Sequence, residues 1–224
     1  MLLEKLIKWG TSSLRVAAVK LRLGSRLRLH RGGKPVYLGH GVRLMVQPGG
    51  CMELGAGAYI DDRSRLQVNS GATMRVGDYV YMNTNVCVVA AECIEIGSHT
   101  MVGPNVCIYD HDHVFDTDGV HSELKTAPVH IGERCWLGSN AIVTSGVTIG
   151  NRILAGGGCV ITHSLLEPGV YVGNPARFIR AVSQTGYGVD GAQEDHARGH
   201  APQVEQRAAL TGDQEPSGEG AKSV

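Results

Sequence analysis

Ile131, Leu137, Val143, Ile149, Ala155 and Ile161 recur at every sixth residue without a slip, and this period constrains the fold more than any other feature of the chain. In a chain that is 42% apolar, six apolar hits in one frame arise by chance about 0.5% of the time. A second column follows four residues after each of the first five: Cys135, Ala141, Val147, Ile153 and Cys159. Six residues are too few for a helical repeat. They suffice for a short strand with an inward apolar side chain and a sharp corner turned by Gly or Asn, and three such units close a triangular coil. The same spacing holds at Val76, Met82 and Val88, at Ile96, Val102 and Ile108, and more faintly at Leu54, Ile60 and Leu66. The expected fold is therefore all-β, a prism of stacked parallel coils over residues 36–182.

The period breaks once at length, over residues 109–129, where "NVCIYDHDHVFD" opens the gap. A charged segment extruded from a rigid scaffold is where function concentrates. In this frame Cys135 and Cys159 fall on the inward columns and are expected only to pack.

The ends of the chain differ from the middle. Residues 1–35 mix Leu2, Leu3, Leu6, Ile7, Trp9, Leu14, Val16, Val19 and Leu21 with Lys5, Lys8, Arg15, Lys20, Arg22, Arg26 and Arg28. This reads as a basic amphipathic helix that covers the open end of the prism or packs on a neighbour. Peripheral contact with an anionic membrane surface is the alternative. Residues 183–224 are rich in Gly, Gln, Glu, Asp and Ser and are expected to be a disordered tail. The 21 basic and 21 acidic residues balance, so no net field recruits nucleic acid. The six cysteines form no CxxC pair and follow no secretory signal pattern, so reduced thiols in a cytoplasmic protein are expected.

"IGSHTMVGPNVCIY", "TAPVHIGERCWLGSNAIVTSGVTIGNRILAGG" and the closing "YVGNPARFIR" resemble the hexapeptide-repeat O-acetyltransferases over residues 76–180. That group includes maltose, galactoside and polysaccharide acetyltransferases, and the resemblance implies a left-handed parallel β-helix. It also implies acetyl-CoA as cosubstrate, no metal, and a homotrimer with active sites between subunits. The implied acceptor is the hydroxyl of a saccharide or sugar nucleotide. In the sugar acetyltransferases the catalytic histidine lies five residues after the last aliphatic residue of an "N-V-x-I/L" segment. Ile108 then selects His113 as general base, with Asp116 in the following "x-x-D" on the acceptor side. The acceptor-contacting asparagine thirty residues earlier is Asn83, next to Tyr81 in "YMNTN". Ser139 matches the position whose backbone amide stabilises the oxyanion beside the CoA, and Trp136 matches an aromatic position lining the cleft. Gly157, Thr162 and His163 fall on the CoA-binding coil. One departure is Ala91, where the sugar enzymes often carry aspartate.

The chemistry suits the assigned residues. Acyl transfer from a thioester to a hydroxyl needs a base of near-neutral pKa and a preorganised donor for the developing oxyanion. Two readings compete: a γ-type carbonic anhydrase holding zinc through His111, His113, His121 and His130, and a non-catalytic β-helix scaffold.

Overall fold

The computed structural model describes residues 2–30 and 32–182. The acidic and glycine-rich tail lies outside the described residues. Helix α1 (Leu2–Leu23) leads into a left-handed parallel β-helix of about six turns. Its first face stacks six strands, from Leu27–Leu29 through Cys51–Leu54, Thr73–Val76, Cys93–Ile96 and Val129–Ile131 to Thr148–Ile149. The second face runs from Tyr37–Leu38 through Tyr59–Ile60, Tyr81–Met82, Met101–Val102, Trp136–Leu137 and Leu154–Ala155 to Gly169–Val172. The third comprises Arg43–Val46, Arg65–Val68, Cys87–Ala90, Cys107–Tyr109, Ile142–Val143 and Val160–Ile161.

The six-residue column lines the interior in every coil. Leu54, Ile60 and Leu66, the faintest part of the pattern, are as fully buried as Leu137, Val143 and Ile161. Burial also pushes the Cys135 thiol above its ordinary value, as expected of a packing residue. Corners are turned by residues in the left-handed region, among them Gly57, Asn85, Asn105 and Asn140. Arg63, Tyr79, His99, Arg134 and Arg152 take the same conformation, so the corners are not restricted to Gly and Asn. Stacking compensates at one edge, where Asn85 donates to Asn105 (3.2 Å) and Asn105 to Asn140 (3.1 Å).

The structure adds detail to the expected segments at three places. Helix α1 stops at Leu23 and the first strand opens at Leu27, so the prism begins ahead of residue 36. Leu27 is inward and fully buried, but one strand offers too few periods to be read from sequence. The break after Ile108 is a two-stranded antiparallel hairpin, His111–Asp116 against Gly119–Thr126, rather than an irregular loop over 109–129. At the far end Arg177–Ala181 folds back antiparallel on Gly169–Val172.

Helix α1 covers the open end of the prism. Strand ends there present carbonyls with no further coil to pair with, and the helix supplies donors. Arg15 donates to Leu38 O (2.6 Å), Arg22 to Leu44 O (2.7 Å), and Lys20 to Leu27 O and Gly24 O. Arg26, just past the helix, donates to Val46 O (2.8 Å). The buried Ser12 hydroxyl accepts the Leu38 N–H at 2.8 Å. Ser12→Ala leaves that amide buried and unpaired, which costs about 1–3 kcal/mol. Thermal unfolding followed by circular dichroism should show a melting temperature lower by about 2–4 °C per kcal/mol.

Candidate active site

Two long edges of the prism carry the residues singled out from the sequence. Asn83 follows Tyr81–Met82 at the edge between the second and third faces, where its side chain accepts the Thr84 N–H (2.7 Å). Ser139 and Gly157 turn the same edge on later coils, and Gly158 N donates to Ser139 O at 2.8 Å. With neighbouring coils about 4.8 Å apart, Asn83 and Ser139 stand two coils, roughly 10 Å, from each other along the axis. Tyr81 and Trp136 flank this edge on the second face, and Trp136 is half exposed. Ser139 is exposed on this edge.

The other edge, between the third and first faces, carries the hairpin. Its root is Asp110, fully buried, whose carboxylate accepts the amides of Ala91 (2.7 Å) and Glu92 (2.8 Å). Asp110 also contacts His111 Nδ1 at 3.1 Å. Asp112 bonds Ser145 on the next coil. These links fix the hairpin to the scaffold on both sides. The register shifts between His113 and Phe115, an irregularity of the kind that re-aims a side chain. Thr162 and His163 lie on this edge too, 3.5 Å apart through Oγ1 and Nδ1, and not beside Gly157.

His113 is held in one tautomer. Its Nδ1 lies 3.1 Å from the carbonyl oxygen of His121. A carbonyl only accepts, so in the neutral ring Nδ1 carries the proton and the lone pair is on Nε2. Asp116, assigned from sequence to the acceptor side, ties the hairpin tip. It takes His121 Nε2 at 2.9 Å and the Asp118 amide at 2.9 Å, and these partners, His121 first, hold its carboxyl below the usual carboxylate range. The tie is therefore present at neutral pH and is lost as pH falls through the lowered value.

Asp110 escaped the sequence reading as a structural anchor. Its signal was the acidic residue placed directly where the six-residue period stops. The four histidines of the zinc alternative do not converge. His111 engages Asp110, His113 the His121 carbonyl, His121 Asp116, and His130 Glu95 on the first face (3.1 Å). Among the described residues no three His, Cys, Asp or Glu side chains form a metal-binding cluster.

A coiled, six-residue-periodic prism with a hairpin histidine defines a class with known members. The profile described as "Hexapeptide repeat of succinyl-transferase" matches residues 128–163. Nodulation protein L of Rhizobium meliloti (strain 1021) is 36% identical over 129 residues, covering 57% of this chain and 69% of that protein. The chain belongs to the hexapeptide-repeat O-acetyltransferase family. Galactoside O-acetyltransferase of Escherichia coli (strain K12) is 30% identical over 119 residues, covering 50% of this chain and 56% of that protein. The chain thus spans little more than half the length of that relative. In fold alone it is similar to a mutant of AntD, an N-acyltransferase from Bacillus cereus in complex with dTDP and coenzyme A. The TM-score is 0.60 at 19% identity, over 74% of this chain and 89% of that one.

Proposed function

We propose that the protein transfers an acetyl group from acetyl-CoA to a hydroxyl of a saccharide or sugar-nucleotide acceptor. The observation that carries this reading is the placement of His113, whose Nδ1 lies 3.1 Å from the His121 carbonyl oxygen. Its free Nε2 takes the acceptor hydroxyl proton as the oxygen attacks the thioester carbonyl, and the Ser139 N–H donates to the developing oxyanion. Collapse of the tetrahedral intermediate breaks the C–S bond, and the imidazolium returns the proton to the departing CoA thiolate. No covalent enzyme intermediate is required, and no metal enters the steps. Asn83 and Tyr81 contact the acceptor. Gly157, where an added Cβ would meet only Ser139 O at 3.4 Å, lets the pantetheine arm run close to the backbone. Thr162 and His163 bind the cofactor from the other edge. The family membership and the galactoside O-acetyltransferase relative support a sugar acceptor, and we place the enzyme in the cytoplasm.

The site is complete only between chains. Within one chain the third face separates the hairpin from the edge that carries Asn83 and Ser139. Its four-residue strands are about 13 Å wide at 3.3 Å per residue. In a homotrimer of parallel prisms, the hairpin of one subunit meets that edge of the next. Phe115 and Val120, paired at the hairpin tip and more than 70% exposed, are then covered by the neighbour.

Chains carrying Asn83→Ala and chains carrying His113→Ala, each inactive alone, should complement when co-expressed. If each site draws one residue from each of two chains, random mixing makes about a quarter of the sites intact. CoA release measured with a galactoside acceptor should therefore recover to about that fraction. No recovery would place both residues in one chain and refute the shared site.

A further inference from the structure

The edge between the second and third faces repeats one position on successive coils, directly after the inward residue of the second-face strand. Gly39, Asp61, Asn83, Gly103, Gly138 and Gly156 occupy it in turn, each donating its N–H to the next coil at 2.7–2.9 Å. Glycine there has a steric reason. A Cβ added at Gly39, Gly103 or Gly138 would come within 2.5, 2.7 or 2.5 Å of the adjoining coil. Among these six, only Asp61 and Asn83 bring a side chain to the edge.

The two are built alike. The Asn83 carboxamide oxygen accepts the Thr84 N–H at 2.7 Å, and Asp61 Oδ1 accepts the Asp62 N–H at 2.9 Å. Their coils are neighbours, about 4.8 Å apart, and in the same two coils Tyr59 stacks on Tyr81 with ring centroids 5.1 Å apart. Asp61 is partly exposed and stands beside the Tyr81 hydroxyl, which burial first and the Asp61 carboxylate second push above its ordinary value. The nearby cations are engaged elsewhere. Arg63 donates to Asn85 Oδ1 at 3.1 Å, and Lys8 lies over the Tyr37 and Tyr59 rings at 5.1 and 5.5 Å.

Resting on the acetyl-transfer reading above, we propose that Asp61 is a specificity residue of the acceptor site. It binds a hydroxyl of an uncharged saccharide one coil beyond Asn83, and it excludes sugar nucleotides and other anionic acceptors. The direction follows from the cofactor. In that reading Ser139 and Gly157 hold the thioester on coils that come after Asn83, so the reacting hydroxyl lies on that side and the remainder of the acceptor extends the other way, toward Asp61. One coil is close to the length of a pyranose ring. A carboxylate accepts from sugar hydroxyls, whereas a phosphate or a second carboxylate in the same place meets a like charge.

The test measures CoA release by the full-length chain and by Asp61→Asn and Asp61→Gly. The acceptors are the methyl glycosides of galactose, glucose and N-acetylglucosamine and the matching uridine diphosphate sugars. Asp61→Gly installs the residue that the other coils carry at this position, so it is the truncation the scaffold accommodates most readily. The wild type should turn over at least one neutral glycoside and prefer it to its nucleotide counterpart by about 10-fold or more in kcat/KM. Asp61→Gly should raise the glycoside KM about 10-fold or more, the scale of a lost hydrogen bond to a charged group, with kcat and the KM for acetyl-CoA within about twofold. Asp61→Asn keeps an accepting oxygen and loses the charge. It should raise the glycoside KM less and narrow the preference against the nucleotide sugar. An unchanged glycoside KM in Asp61→Gly, or a wild type that prefers the nucleotide sugars, would overturn the assignment and leave the transferase reading standing. A KM for acetyl-CoA that rises in step with the glycoside KM would make Asp61 part of the scaffold and also overturn it. No CoA release by the wild type with any of the six acceptors would remove the transferase reading and this inference together.

Discussion

His113→Ala should lower kcat by about 100-fold or more, the scale for losing a general base, while KM for acetyl-CoA stays near its wild-type value. The argument is local. His113 Nδ1 is committed to the His121 carbonyl, so the ring offers one nitrogen to a substrate and removing the ring removes that acceptor. His111 provides the internal comparison, because it belongs to the same hairpin and also has a fixed Nδ1, held by the buried Asp110. His111→Ala should cost much less, and what it costs should appear also in hairpin order. If His111→Ala abolishes turnover while His113→Ala retains it, the base is His111 backed by its buried carboxylate, and the assignment made here fails.

Gly97→Ala should destabilise the prism about as much as a core truncation does. A Cβ at Gly97 would lie 2.5 Å from Gly132 C and 2.7 Å from Gly132 O and Glu133 N. Those atoms are main chain of the adjoining coil and cannot rotate away, so the coils must part locally. Overpacking of this kind costs about 3 kcal/mol. For a chain of this size that corresponds to a melting temperature lower by roughly 6–12 °C. Gly157→Ala makes the contrast, since its nearest new contact is an ordinary 3.4 Å and the prism should be almost unaffected. Equal, small shifts for both would mean that adjacent corners are not packed as closely as described.

The fold was legible wherever the six-residue period repeated. Ile131 to Ile161 announced both the coil and its inward column, because a solenoid buries the same side of every unit. Leu27 and the Arg177–Ala181 strand were not legible, for a single strand at either end has no period to display. The hairpin was seen only as an interruption. Antiparallel pairing of His111–Asp116 needs a partner of no regular pattern, and "DHDH" carries no alternation of apolar residues. His113 and Asn83 were assigned by spacing within a resemblance. The partners of Asp116, His121 and the Asp118 amide, were not legible, because they come from the turn and the returning strand of the hairpin.

The bonds that join the cap and the coils have nearly constant reach along the chain. Arg15 finds its carbonyl 23 residues on, Arg22 22 and Arg26 20, and the corner bond of Asn85 to Asn105 also spans 20. Each coil therefore needs only the one before it, and a growing chain can add turns as a front moving away from α1. The front meets one longer closure, where Asn105 reaches Asn140 across 35 residues and Thr100 reaches Gly132 across 32. There the chain must first turn back through the hairpin. The segment bearing His113 thus lengthens one closure of the ladder from 20 residues to 35, an entropic cost of only about 0.5 kcal/mol, so the prism carries its hairpin at little expense to the stacking on either side.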